Sequence, residues 1–210
     1  MVLRVPETPE HAREAVRAVL ATPRRRTAPP PDTVFGPVSA GPSGSPDAEA
    51  DDADPDVPGP TAVCPHRMFE IDLADLAAGR GVEAARPVGW RWLIHERGRT
   101  VGAVEVAEPV GGPPLARFTE GPFTTGTDAA VATVRSLPHV ERGYYELRLL
   151  HIPGLYTVAL WLADLVGWQD LLVPLAPAPP GVQPLRPYPA AELAHTLVAR
   201  GAHVLTTTQA

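Results

Sequence analysis

Lysine and asparagine are absent from this 210-residue chain, and isoleucine occurs only at Ile71, Ile94 and Ile152. All 18 basic residues are therefore arginine. A Walker A phosphate loop, a Schiff-base enzyme and a protein kinase each need a lysine at a fixed place, so their standard forms are excluded. Because thermal adaptation usually enriches lysine and glutamate, we attribute the composition to a GC-rich bacterial genome.

Cysteine is also scarce, and the charge is unevenly spread. Cys64 is the only cysteine, so no intrachain disulfide forms, and residues 1–20 lack the apolar core of a signal peptide. Seven of the 24 acids and no basic residue lie between residues 28 and 62, which leaves 17 acids against 18 arginines elsewhere. Without a basic stripe we expect no nucleic-acid partner. The single cysteine and the missing apolar core of a signal peptide favour a cytoplasmic protein.

The chain divides by composition into four regions. Residues 1–21 are predicted as a short amphipathic helix, and residues 22–62 as a disordered, acidic, proline-rich linker that cannot bury enough apolar surface to order itself. Residues 63–205 are predicted as one α+β domain, and residues 206–210 as a tail. The apolar stripe of the helix predicts a docking face, which comprises Val16, Val19 and Leu20. Because so short a helix is marginal alone, it must pack on its own domain, on a second copy or on another protein.

Alternating polarity predicts that the domain is mainly an antiparallel sheet. Residues 90–96 and 100–107 flank a tight turn and predict a hairpin, with Trp90 and Trp92 on one face and Arg91 on the other. Further strands are predicted in "HRMFEIDL", "PLARFTEG", "YYELRLLH", "GLYTVALWL" and "WQDLLVPL". Two packed helices are predicted, over residues 129–137 and 189–200. The order of elements favours an α+β fold.

The longest apolar stretch is residues 149–166, which is long enough to span a membrane. His151, Pro153 and Asp164 interrupt it, and ionisable residues are costly inside a membrane, so no membrane association is predicted. Residues 155–162 fit a helix as well as a strand. The β-branched and aromatic residues and the preceding Pro-Gly turn favour a strand.

His151 is the one catalytic candidate. It shares the parity of Leu147 and Leu149, so it is predicted to point inward at the end of a strand. Such a histidine is either a general base or a core residue that hydrogen-bonds a carbonyl, and we expect the second.

Other chemistry is weakly indicated. Cys64 and His66 are the only spaced pair that could begin a metal site, and without a second pair neither a metal nor a cofactor is expected. Glu105 and Glu108 are interpreted as solvated carboxylates on a wet face. An anion site at the amides of residues 126–128 is disfavoured by the carboxylate of Asp128.

We therefore expect a non-enzymatic protein-interaction module whose N-terminal helix, tethered by the linker, docks on an unidentified partner protein. One alternative is a small-ligand-binding protein or hydrolytic enzyme with a pocket near His151. The other is an oligomeric structural protein, since the sequence does not determine the oligomeric state.

Overall fold

The computed structural model of the chain describes residues 2–4, 6–22, 59–137, 144–167 and 169–208. Within these ranges one nine-stranded sheet is flanked by four α-helices. The strands are β1 (Val2–Arg4), β2 (Thr61–Glu70), β3 (Arg86–Glu96), β4 (Arg99–Ala107), β5 (Leu115–Thr119), β6 (Tyr144–Ile152), β7 (Thr157–Asp164), β8 (Leu171–Pro174) and β9 (Tyr188–Pro189). The helices are α1 (Glu10–Ala21), α2 (Leu73–Ala77), α3 (Pro122–Arg135) and α4 (Ala190–Thr208).

The sheet runs in the order β5-β4-β3-β2-β6-β7-β8-β9. The pairing of β2 with β6 is parallel, and so is that of the short β1 with the start of β6; all other pairs are antiparallel. The predicted α+β class with a mainly antiparallel sheet is therefore confirmed.

Both faces of the sheet are covered by helices. On one face, α1 packs on the tryptophans of β3, and α2 and α4 pack on β6, β7 and β8. On the opposite face α3 packs on an apolar cluster from β6, β7 and β8. Next to this apolar cluster, polar residues of β2 to β5 lie on the same face of the sheet, and they form the candidate site.

The predicted hairpin is present as β3 and β4. Arg97 and Gly98 form its turn with φ values of 49° and 74°, the left-handed backbone that matches the twist of a two-residue hairpin. Trp90 and Trp92 face α1, whereas Arg91 faces α3, as the alternation predicts.

The apolar stretch forms β6 and β7, joined by a short 3₁₀ turn at Pro153–Leu155. The preference for a strand over a helix in this stretch is confirmed. Among the helices that the structure describes, none has both the length and the apolar character needed to cross a membrane.

Helix boundaries differ from the prediction at two places. Helix α3 begins at Pro122, because Gly121 adopts a φ of 128° and proline suits the first helical position. The prediction that it begins at Ala129 is wrong. Helix α4 continues past Gly201 to Thr208, since an interior glycine costs only about 1 kcal/mol relative to alanine and need not end a helix.

Two region boundaries also move. Residues 23–58 of the predicted linker lie outside the described residues, and β2 begins at Thr61, inside the range assigned to the linker. At the other end, α4 extends into the range assigned to the tail.

Candidate functional site

Four polar side chains form a continuous line across the α3 face of the sheet. They are Arg117 on β5, Glu105 on β4, Arg91 on β3 and His66 on β2, and each is the register partner of the next. We call them the charge row. Directly opposed residues in a sheet have side chains in contact range, so the register alone brings these groups together.

A bulge in the hairpin places Glu105 opposite Arg91. The pairing next to the turn, if continued without interruption, would put Val104 there instead. The bulge inserts Val101 into β4 and shifts the remaining register by one residue. The carboxylate therefore points under α3 into the protein.

Glu105 is only 7% exposed, so its interpretation as a solvated carboxylate is wrong. Its Oε2 accepts hydrogen bonds from Arg117 Nε at 3.1 Å and from Arg117 NH2 at 2.7 Å. Glu108, by contrast, is half-buried just after the end of β4, and its Oε1 lies 2.9 Å from His11 Nε2. The alternation of β4 is the signal that separates the two glutamates, once the bulge is taken into account.

Arg91 is the deepest charge of the site and is only 2% exposed. It donates to the hydroxyl oxygens of Thr124, at 3.1 Å, and Thr127, at 3.4 Å, both on α3. Its Nε lies 3.6 Å from Glu105 Oε1, close enough for ionic attraction, but has no hydrogen-bond partner among the described residues. Burial lowers the pKa of Arg91 and the Glu105 carboxylate opposes that shift, so the guanidinium remains a cation at neutral pH.

His151 lies near the charge row at the end of β6, on the inward face as predicted. Its Nε2 is buried and has no hydrogen-bond partner in the described part of the chain. Burial lowers the pKa of the imidazole; the Glu105 carboxylate opposes this, whereas Arg91 and Arg117 reinforce it. The ring is therefore neutral at pH 7.

His151 and three members of the charge row line an open cavity of about 300 Å³, which we call the α3 cavity. Its polar lining continues through Thr119, Glu120, Thr124 and Thr157, and the first turn of α3 forms one wall. At its mouth Phe123 and Tyr156 pack with ring centroids 5.3 Å apart, and Tyr156 is 70% exposed.

His66 lies at the far end of the charge row and is fully buried. A bulge at Cys64, whose φ is 52°, lets His66 Nδ1 donate to the Cys64 carbonyl oxygen at 2.8 Å. Because Nδ1 carries the proton, Nε2 is an acceptor, and it has no partner among the described residues. Burial, with Arg91 and His151 nearby, lowers the pKa of His66 to about 3.

The metal candidates Cys64 and His66 meet through the backbone rather than as two ligands of one ion. Burial raises the pKa of the Cys64 thiol, which opposes formation of the thiolate that binds metals. Over the described ranges, no group of three or more histidine, cysteine, aspartate or glutamate side chains could hold a metal ion.

The predicted docking face of α1 packs on the protein's own sheet. Val16 is buried against the cluster of Trp90 and Trp92, and Val19 and Leu20 pack partly buried beside it. Of the three packing surfaces open to this helix, its own domain is therefore the one observed.

A second, larger cavity of about 480 Å³ lies beside α4. Its carboxylates already have protein partners: Asp170 accepts from Trp161 Nε1 and the Asp164 amide, and Glu83 accepts from the Gly81 amide. The α3 cavity is the stronger candidate, because it alone of the two has buried polar nitrogens without partners in its lining. No family model, curated protein or solved structure matches the chain.

Proposed function

We propose that the protein binds a small polar molecule in the α3 cavity and hydrolyses it, with His151 as the general base. One observation carries the proposal: His151, whose buried Nε2 has no partner among the described residues, lines an open cavity together with the buried Arg91–Glu105 pair. Buried polar groups without partners are rare in proteins, and they concentrate where a ligand supplies the missing contact.

The charges around His151 suit a base. A neutral imidazole that carries its lone pair on Nε2 can take a proton from a bound water, whose oxygen then attacks an electrophilic carbon of the ligand. The Arg91 and Arg117 guanidiniums stabilise the negative charge that develops on the ligand. The Glu105 carboxylate stabilises the imidazolium that results.

Hydrolysis by water is favoured over a covalent intermediate by the lining of the cavity. Its hydroxyls belong to threonines and one tyrosine, and Thr124 accepts a hydrogen bond from Arg91. Cys64 is absent from the lining, and burial holds its thiol protonated. The cavity therefore offers a base but no activated nucleophile.

The protein-interaction module and the oligomeric structural protein stay predictions. The protein-interaction module rests on an apolar helix face that must pack on some surface. In the structure α1 packs on β3, so the helix face does not require a partner protein. Neither has an observation in its favour comparable to the α3 cavity.

The proposal is tested with chemically varied fragments on the full chain. We expect some to shift the NMR signals of Arg91 and His151, and the His151→Phe variant, which keeps an aromatic ring but removes both nitrogens, to bind them at least about tenfold more weakly. Hydrolysis of 4-nitrophenyl acetate should slow by about 100-fold or more in the same variant. His195→Phe, at an exposed histidine of α4, should change neither result.

Circular dichroism shows whether each variant is folded. Fragments that leave His151 unperturbed, or bind His151→Phe as tightly as the unaltered chain, would contradict the proposed site.

A further inference from the structure

Two residues that line the α3 cavity each have a buried nitrogen without a hydrogen-bond partner among the described residues, and these nitrogens constrain the ligand. Arg91 Nε always carries a proton, so its missing partner is an acceptor oxygen. Glu105 Oε1 does not fill that role, because it lies 3.6 Å away, beyond the ordinary hydrogen-bond distance. His151 Nε2 is the second nitrogen. An acceptor oxygen of a ligand would pair with the Nε–H of Arg91, whereas His151 Nε2, which carries its lone pair in the proposed reaction, would pair with the bound water.

The buried guanidinium of Arg91 favours an anionic oxygen. Two arginines and two glutamates line the cavity, and of these four Arg117 and Glu120 are exposed to solvent. Arg117 is joined to Glu105 by two hydrogen bonds, so among the described residues the buried Arg91 has ionic attraction at 3.6 Å as its one contact with an opposite charge. A carboxylate is the natural partner of a guanidinium in so dry a place.

The first turn of α3 adds to this preference. Gly121, Pro122, Phe123 and Thr124 all line the cavity, and the first turn of this 14-residue helix holds no acidic residue. The amides and the dipole at a helix N-terminus attract anions. The turn thus reinforces a site that the buried Arg91 already defines.

The aromatic side chains at the mouth of the cavity suit a planar ring of the ligand. Phe123 and Tyr156 meet at an interplanar angle of 56°, and Tyr156 stays exposed in a left-handed backbone with a φ of 48°. This conformation is costly for a residue with a side chain, and strain of that kind concentrates at functional sites. Exposed aromatic faces pack well against another ring.

The size of the cavity sets the scale. Its volume of about 300 Å³ is at the lower end of the range for ligand sites, which fits one ring with one small substituent.

Resting on the proposed function, we propose that the ligand of the α3 cavity is a small aryl carboxylate: its carboxylate binds Arg91 Nε beside His151, and its ring packs on Phe123 and Tyr156. The proposed hydrolysis would release such an acid from an ester or amide whose acyl group is aromatic. The water oxygen forms a bond to the acyl carbon, and the bond from that carbon to the alcohol oxygen or amine nitrogen breaks. One water proton goes to the leaving group through His151, and the other is released when the acid ionises to the carboxylate.

Benzoate is the probe, and binding to the full chain is measured by calorimetry and by NMR shifts of Arg91 and His151. Benzamide keeps the ring but removes the charge, whereas acetate keeps the charge but removes the ring. We expect benzoate to bind at least about tenfold more tightly than either. Tyr156→Asn should weaken benzoate binding by about fivefold or more, because it removes the ring while asparagine tolerates the left-handed backbone. Tyr144→Asn, at an exposed tyrosine outside the cavity, should not weaken it.

The outcomes separate this inference from the proposed function. Benzamide equal to benzoate overturns the anion, and acetate equal to benzoate overturns the ring; in both cases the cavity remains a ligand site. If other fragments bind at His151 but benzoate does not, the ligand class is wrong and the proposed function stands. If nothing binds at His151, both fail.

Discussion

Replacing Glu105 with leucine is expected to lower the free energy of unfolding by about 3–5 kcal/mol, because it leaves the buried Arg91 without an opposite charge. Within the described part of the chain, the hydroxyls of Thr124 and Thr127 would be the partners that remain for the guanidinium. Chemical denaturation followed by circular dichroism measures the change. Glu108→Leu is the matched control: it breaks a more exposed contact with His11 and should cost less than about 1 kcal/mol.

The double variant Glu105→Leu, Arg91→Met tests whether the stability that Glu105→Leu loses is due to the unpaired charge of Arg91. Buried ion pairs are often replaceable by apolar residues of similar volume without loss of stability. We therefore expect the double variant to recover at least half of what the single variant loses. A single variant no less stable than Glu108→Leu would show that Arg91 does not depend on Glu105.

Acid should destabilise the fold through His66 by about 2 kcal/mol between pH 6.5 and pH 4.5. The pKa of this histidine falls from an ordinary 6.5 to about 3 in the folded chain. In the unfolded chain it takes up a proton below pH 6.5, so the unfolded state binds more protons in this window and stability falls as the pH falls. The contribution is complete above pH 6.5 and is lost as the pH approaches 3.

The measurement compares denaturation of the unaltered chain and of His66→Gln across this window. The variant removes the titrating group, so its stability should change less with pH by about that amount, whereas His195→Gln should follow the unaltered chain. The lowered pKa of His151 adds a slope of the same sign, which both variants retain. Parallel curves for His66→Gln and the unaltered chain would contradict the neutral buried state of His66.

Much of the fold follows from local patterns in the sequence. Alternation with period two predicts that Trp90 and Trp92 lie on one face of the sheet and Arg91 on the other, and that His151 points inward. The structure has both arrangements. The two-residue turn at Arg97 and Gly98 is equally local. Such features need no knowledge of distant parts of the chain.

The candidate site depends on features that no local pattern contains. One inserted residue, Val101, decides whether Glu105 or Val104 lies opposite Arg91. The parallel pairing of β2 with β6 brings His66 and His151 to the same face of the sheet, although 84 residues separate them in the chain. A bulge and a long-range pairing are products of the whole sheet. The sequence therefore indicated His151 as an inward-facing residue, but it indicated His66 only as a metal candidate and Glu105 only as a solvated carboxylate, and it did not join them in the charge row.

Helix α3 shows a third limit. Its start at Gly121 and Pro122 was readable from the proline, but threonine and aspartate further along mimic a cap and favoured a later start. The later start hid the helix N-terminus that lines the α3 cavity.

The central claim is that the α3 cavity is a ligand site, and crystals of the full chain soaked with a set of small carboxylates and neutral fragments test it most directly. The account predicts density beside Arg91 and His151 in the α3 cavity, with an oxygen within hydrogen-bond distance of Arg91 Nε. Density only in the larger cavity beside α4, or none in the α3 cavity at any fragment concentration, would contradict it.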